Sequence, residues 1–172
     1  MVALYGTFDE AALHSLKNQF LCTLPLSLLV PTQSYSHYHW LYLPILVVMS
    51  DIYFFCTHIT MHKYLWSWHK HHHRGKVQVA KSLDASLPEH LICNLGSFVF
   101  PFVFFTPSTP ILCTWVAVNT VSTCISHIGY TTLGDKGRHL HHHRHLHCNY
   151  GTGLYVMDRL CGTLVDTKEY DL

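Results

Sequence analysis

Residues 51–74 read DIYFFCTHITMHKYLWSWHKHHHR, and this stretch predicts where the chain places its chemistry. No glycine or proline interrupts it, and Gly75 follows it as a candidate helix-terminating residue. Drawn on one α-helix, five histidines and one aspartate fall on a stripe roughly 100° wide. These residues are Asp51, His58, His62, His69, His72 and His73. The stripe predicts a helix face that carries ligands and that needs further ligands from elsewhere in the chain.

A second histidine tract, HLHHHRHLH at residues 139–147, is the predicted source of those ligands. His139, His142 and His143 repeat the i, i+3, i+4 spacing of the first tract, which predicts three imidazoles presented to one place. The same register leaves His71 and His141 off the ligand face. His127, at the end of the last apolar run, adds one more candidate ligand.

Together these patterns give nine candidate imidazole ligands, more than the roughly six positions that one metal ion offers. They therefore predict two metal ions with positions left open. Imidazole suits zinc, copper, iron and nickel, but a structural zinc site is closed and usually includes cysteine. The all-histidine set favours iron used for oxygen chemistry, although zinc is also expected to bind in purified protein. A histidine-rich tract that binds metal loosely is the alternative, and the helical spacing of three separate clusters argues against it.

The composition predicts a membrane protein with an all-α fold. Of 172 residues, 49% are hydrophobic and only 12% are charged, whereas about a quarter are charged in soluble domains. About four apolar runs are candidate membrane segments, some of them short for a full crossing: 20–30, 40–57, 91–105 and 111–125. The predicted architecture is an integral-membrane helical bundle with a histidine-rich cap that faces the cytosol. The alternative is a soluble protein with buried core helices, such as a zinc-binding module.

The distribution of charge predicts orientation and excludes one class of partner. All eleven Lys and Arg residues lie at position 17, in 63–81 or in 136–168, which places both histidine tracts and both termini on the cytosolic side. A net charge of +1 argues against nucleic acid as a partner. The predicted divisions are an N-terminal amphipathic or membrane segment at 1–38, a main domain at 39–163 that carries both histidine tracts, and a C-terminal tail at 164–172.

Several of these motifs together resemble one family, the fatty acid hydroxylase/sterol desaturase superfamily. The matching segments are HITMH, WHKHHH, HIGY, HLHHH, NYG and MDRLCGT. The resemblance implies a membrane-bound, non-haem di-iron enzyme that uses O2 and electrons from a cytochrome b5-type donor. It implies hydroxylation or desaturation of a sterol or fatty-acyl lipid. The implied location is the endoplasmic reticulum, with the mitochondrial inner membrane or another internal membrane as the alternative.

The resemblance also assigns roles to individual residues. The ligands of the two irons are His58, His62, His69, His72, His73, His127, His139, His142 and His143. Asp51 is expected to orient His58, or else to bind an N–H or hydroxyl group inside the bundle. Asn149 is expected either to hold a metal-bound water or to cap the last helix, and Asp158 to fix local structure.

The remaining histidines have lesser expected roles. His37 and His39 are expected to be uninvolved in metal binding. His145 and His147 are expected to be at most spare ligands.

The chain also departs from the family pattern. Ile59 stands where an arginine is usual, and His90 follows Pro88 and Glu89 rather than preceding them. The chain is shorter than typical members, with reduced N-terminal membrane segments. These departures motivate a second hypothesis, in which the protein is a structural subunit that binds other membrane subunits and its metal site is structural or vestigial.

Overall fold

The computed structural model describes residues 8–75, 77, 79–128 and 135–166, and all regular structure within these ranges is helical. The α-helices are α1 (Phe8–Asn18), α2 (Leu24–Leu28), α3 (Tyr42–Tyr64), α4 (Trp66–His69), α5 (Leu87–Glu89), α6 (Gly96–Val99), α7 (Thr109–Ser126), α8 (Arg138–His145) and α9 (Val156–Cys161). Shorter π-helical turns lie at Gln19–Thr23 and His90–Leu95, and 3-10 turns lie at His37–Leu41, Val79–Lys81 and Phe100–Val103. The all-α prediction is confirmed for the described residues.

Two helices are long and apolar enough to cross a membrane. They are His37–Tyr64, with 28 residues, and α7, with 18 residues. Leu87–Val103 is a shorter apolar helix. A crossing needs about 20 residues, so the length of the first two helices, together with their apolar composition, fits a spanning role. The expected number of about four segments, and the cytosol-facing cap, stay predictions.

One buried apolar cluster joins the two long helices to the shorter one. Leu46 of α3, Leu95 and Phe98 of the shorter helix, and Ile111 and Trp115 of α7 pack together. The Trp115 indole N–H donates to the Phe98 carbonyl at 3.0 Å, so the one polar atom of this ring is satisfied inside the cluster. The cluster therefore packs the three helices against one another.

The ligand-bearing stretch 51–74 is not one helix, and that prediction was wrong. The chain leaves helical geometry at Leu65, where φ is −125° and ψ is 32°. The short α4 follows and ends at His69, after which the chain continues in turns to Gly75, whose φ of 76° is left-handed. His72 and His73 therefore lie in a turn, where their side chains can point in different directions.

Candidate metal centre

The fold brings all nine predicted histidines together, in two groups. The first group is His58, His62, His69, His73 and His142. The second group is His72, His127, His139 and His143. Within each group the candidate ligand atoms lie within 4.8 Å of one another. The ligands thus come from α3, from α4 and the turn after it, from the end of α7 and from α8.

Each histidine tract contributes to both groups. In each i, i+3, i+4 set, the histidines at i and i+4 belong to one group and the histidine at i+3 belongs to the other. The first group receives His69 and His73 with His142, and the second receives His139 and His143 with His72. On a helix the i+3 and i+4 positions lie on opposite sides of position i, about 100° apart. The expectation that each tract serves one place was therefore wrong: each tract reaches both groups.

Hydrogen bonds from the ring nitrogens determine which nitrogen faces each group. The Nδ1 atom lies 2.6 Å from the Tyr150 carbonyl in His58 and 2.7 Å from the Cys148 carbonyl in His142. A carbonyl only accepts, so Nδ1 carries the proton and Nε2 presents a lone pair. In the second group, His127 and His72 direct Nδ1 at backbone carbonyls in the same way, at 2.9 and 3.3 Å.

A carboxylate plays the same part for His69. Its Nδ1 lies 2.8 Å from Oε1 of Glu89, and both side chains are buried. A carboxylate that accepts from a metal-binding imidazole fixes its orientation and raises its basicity. Sequence reasoning did not assign this role to Glu89. The available signal was its charge at the start of an apolar helix, where a carboxylate needs a partner.

The resulting lone pairs face each other at short range. His58 Nε2 lies 2.9 Å from His69 Nε2, and His127 Nε2 lies 3.4 Å from His72 Nε2. His127 and His72 both carry the proton on Nδ1, so neither has a proton to donate, and their contact repels unless a cation lies between the two rings. The same holds for His58 and His69 when Glu89 is ionised. A cation in the first group favours that ionised form against burial, which raises the pKa of Glu89 to about 9. With metal–nitrogen bonds of about 2.1 Å, neighbouring donors of an octahedral shell lie about 3.0 Å apart. The donor set therefore fits a metal ion in each group.

Burial keeps these imidazoles neutral. Desolvation, helped by neighbouring imidazoles, lowers the pKa of His142 to about 3. Desolvation also lowers the pKa of His72 to about 3 and that of His127 to about 4. Only the neutral imidazole binds a metal, so these rings are ready as ligands at neutral pH without losing a proton.

A cavity adjoins the second group and extends toward the apolar core. His72, His127 and His139 line one end, and Phe98 and Trp115 are among the residues that line the rest. Polar side chains also line it, including Ser50, Asn94 and Asn119. No histidine of the first group lines this cavity. A molecule inside it would therefore meet the second group first.

Comparison with known proteins gives the family. The chain matches the family model described as fatty acid hydroxylase over residues 43–163. The chain belongs to the fatty acid hydroxylase family. Similar curated proteins are "Fatty acid hydroxylase domain-containing protein 2" of Macaca fascicularis and its namesake of Homo sapiens, each 31% identical over 145 residues. The match covers 78% of this chain but 43% of the length of each relative. No solved structure matches the chain.

As a fatty acid hydroxylase family member, the chain has histidine clusters and two candidate membrane helices that fit a membrane di-iron hydroxylase. The segment that follows His127, residues 129–134, lies outside the described residues. Neither group includes the histidines that were expected to be uninvolved or at most spare ligands, namely His37, His39, His145 and His147.

The structure corrects the role expected for Asp51. Its carboxylate accepts from the backbone N–H groups of Tyr155 and Val156, at 3.0 and 2.9 Å, and so anchors the start of α9 to α3. His58 takes its partner from the Tyr150 carbonyl instead. The alternative, an N–H partner inside the bundle, describes Asp51. The partners lie more than 100 residues away in sequence, which a helical drawing of one stretch does not reveal.

Asn149 also differs from expectation. Its side-chain amide donates to the Val165 carbonyl at 3.0 Å, and its Oδ1 accepts from the Val165 N–H at 2.7 Å. Both ends of the amide are thus engaged by the chain that follows α9, so Asn149 fastens that segment rather than capping a helix. Asp158 does fix local structure, because it accepts from the N–H groups of Tyr150 and Gly151 at 2.8 and 2.6 Å. It thereby positions the Tyr150 carbonyl that binds His58.

Proposed function

We propose that this protein is a membrane-bound di-iron oxidoreductase that hydroxylates or desaturates a sterol or fatty-acyl lipid, using O2 and external electrons. The observation that carries the proposal is the pair of all-histidine groups, in which Nε2 lone pairs face each other at 2.9 and 3.4 Å. Such a set needs cations, and imidazole ligands without cysteine suit iron. Family membership supports the reaction class.

In this proposal the nine histidines hold two irons, one in each group. When bound, the irons supply the chemistry that oxidises an unactivated C–H bond of the lipid. The protein's own contribution is to orient the rings. The Tyr150 carbonyl orients His58, the Cys148 carbonyl orients His142, and Glu89 orients His69.

The cavity beside the second group is the proposed lipid site. Phe54, Phe98 and Trp115 supply apolar contacts along it, and burial excludes water from the end where His127 and His139 lie. Because histidines of the second group line the cavity and those of the first group do not, the reacting carbon of the lipid is expected to lie nearer the second group.

The surroundings follow from the same proposal. The two candidate membrane helices support a location in a membrane, and we propose the endoplasmic reticulum with both termini on the cytosolic side. That orientation gives a cytochrome b5-type donor access to the histidine-bearing side of the bundle. The domain covering 39–163 is proposed as the catalytic unit.

The test is lipid oxidation by the iron-loaded protein in detergent or membranes, supplied with O2 and a cytochrome b5-type electron donor. Wild type is compared with His143→Ala, which removes a second-group ligand, and with His145→Ala. The control residue lies on the same helix, is exposed and belongs to neither group. The proposal predicts product in wild type and His145→Ala and loss of product in His143→Ala. Equal products in all three proteins, or a metal-free wild type, would overturn it, and the structural-subunit hypothesis would then be preferred.

A further inference from the structure

A third cluster of metal-competent side chains lies outside the nine histidines. His14 of α1, His71 of the turn after α4 and Asp84 of the loop before α5 converge. Asp84 Oδ1 lies 2.6 Å from His14 Nδ1 and 2.9 Å from His71 Nε2. Their candidate ligand atoms all lie within 4.8 Å of one another. These residues come from three separate parts of the chain, so the fold itself assembles the cluster.

The cluster is open to water, unlike the two histidine groups. The side chains of His14 and His71 are 41% and 44% exposed, whereas that of Asp84 is 9% exposed. The carboxylate is thus buried, while the two imidazoles border solvent. A cation can reach this cluster without passing through the protein.

We propose that these three residues form a separate site for one divalent cation of the zinc type. Two imidazole nitrogens and one carboxylate oxygen are a ligand set that zinc uses, with water in the fourth position. In a tetrahedral shell with bonds of about 2.0–2.1 Å, neighbouring donors lie about 3.3 Å apart. The two Asp84 contacts are shorter than that by roughly half an ångström. A small rotation of the exposed imidazoles would lengthen both contacts by this amount. Without a cation, the same contacts serve as hydrogen bonds from the two histidines to Asp84.

The site would fasten the first helix to the loop that supports His72. The backbone carbonyl of Asp84 accepts from His72 Nδ1 at 3.3 Å. Helix α1 also contacts this loop through Ser15, which donates to the Ala80 carbonyl at 3.2 Å, and through Asn18, which donates to the Ala85 carbonyl at 3.0 Å. A cation held by His14 and Asp84 adds a stronger link to this contact. The inference does not depend on the reaction proposed above.

The test is zinc binding by the full-length chain in detergent, measured as bound zinc per chain over a series of buffered free zinc concentrations. Wild type is compared with His14→Gln, His71→Gln and the control His37→Gln, which removes an exposed histidine that belongs to none of the clusters. The proposal predicts that wild type and His37→Gln bind one more zinc per chain than either of the other variants. Because a difference is measured, zinc taken up by the nine histidines cancels.

A second readout separates a cation site from a hydrogen-bonded contact. Zinc is expected to slow amide hydrogen exchange in α1 in wild type and to leave it unchanged in His14→Gln. His14 lies far in sequence from the nine histidines, so this variant keeps the test valid even if His71→Gln disturbs its neighbour His72. Zinc binding by His14→Gln equal to that of wild type would overturn the proposal.

Discussion

Replacing Glu89 with glutamine tests whether this carboxylate strengthens a metal ligand. Glutamine keeps the shape and can still accept from His69 Nδ1 through its amide oxygen, but it removes the negative charge that Glu89 carries in the metal-loaded protein. The bound cation favours that charge against the burial that raises the pKa of Glu89 to about 9. Both side chains are almost fully buried, at 3% and 2% exposure, so water cannot replace the lost charge. Loss of such a partner lowers metal affinity about 10- to 100-fold, or about 1.4–2.7 kcal/mol.

Only the first group contains His69, which makes the prediction selective. When metal-loaded protein is titrated with a competing chelator, Glu89→Gln should release half of its metal at about 10- to 100-fold lower chelator concentration than wild type. The other half, held by the second group, should be released as in wild type. Glu10→Gln, an exposed carboxylate on α1, is the control. Release curves that coincide for Glu89→Gln and wild type, or an equal shift of both halves, would refute the reasoning.

Three further predictions concern stability. Asp51→Asn should lower the free energy of unfolding by about 1–3 kcal/mol, because the carboxylate anchors buried N–H groups at the start of α9, and thermal unfolding in detergent measures it. Gly151→Ala should destabilise by about 1–3 kcal/mol in the same assay, since the added Cβ would lie 2.7 Å from Asp158 Oδ2, and a melting temperature equal to that of wild type would contradict this. Metal-free protein should lose stability as the pH falls from about 6.5 toward 3, by up to about 1.4 kcal/mol per pH unit from His142 alone. The sign follows because the pKa of His142 is about 3 in the folded chain, so only the unfolded chain binds the proton in this range, and stability that rises on acidification would refute it.

The sequence revealed the members of the site better than their arrangement. Spacing selects eight of the seventeen histidines and excludes His71 and His141, and position at the end of an apolar run adds His127. The fold brings those nine into two groups. Spacing did not reveal that each tract serves both groups. Helix geometry separates the i+3 and i+4 side chains, but which group each of them joins depends on tertiary packing, including the break at Leu65.

Partners distant in sequence were the other limit. Asp51 was assigned to His58 because both lie on one drawn helix face, whereas its partners Tyr155 and Val156 come from the far end of the chain. Spacing does not indicate a role for Glu89, because its partner His69 lies on another element, 20 residues away. Periodicity reports neighbours along one helix, and contacts between elements follow from packing that a single sequence does not encode in its spacing.

Iron content per chain tests the central claim most directly. Protein loaded with iron and dialysed against a weak chelator would be measured as wild type, as His62→Ala from the first group and as His143→Ala from the second, with His145→Ala as the control. The account predicts two irons per chain in wild type and the control, one for each histidine group, and about one in each of the other variants. One iron in wild type, or loss of both irons from a single-group variant with the fold intact, would contradict the division into two metal sites.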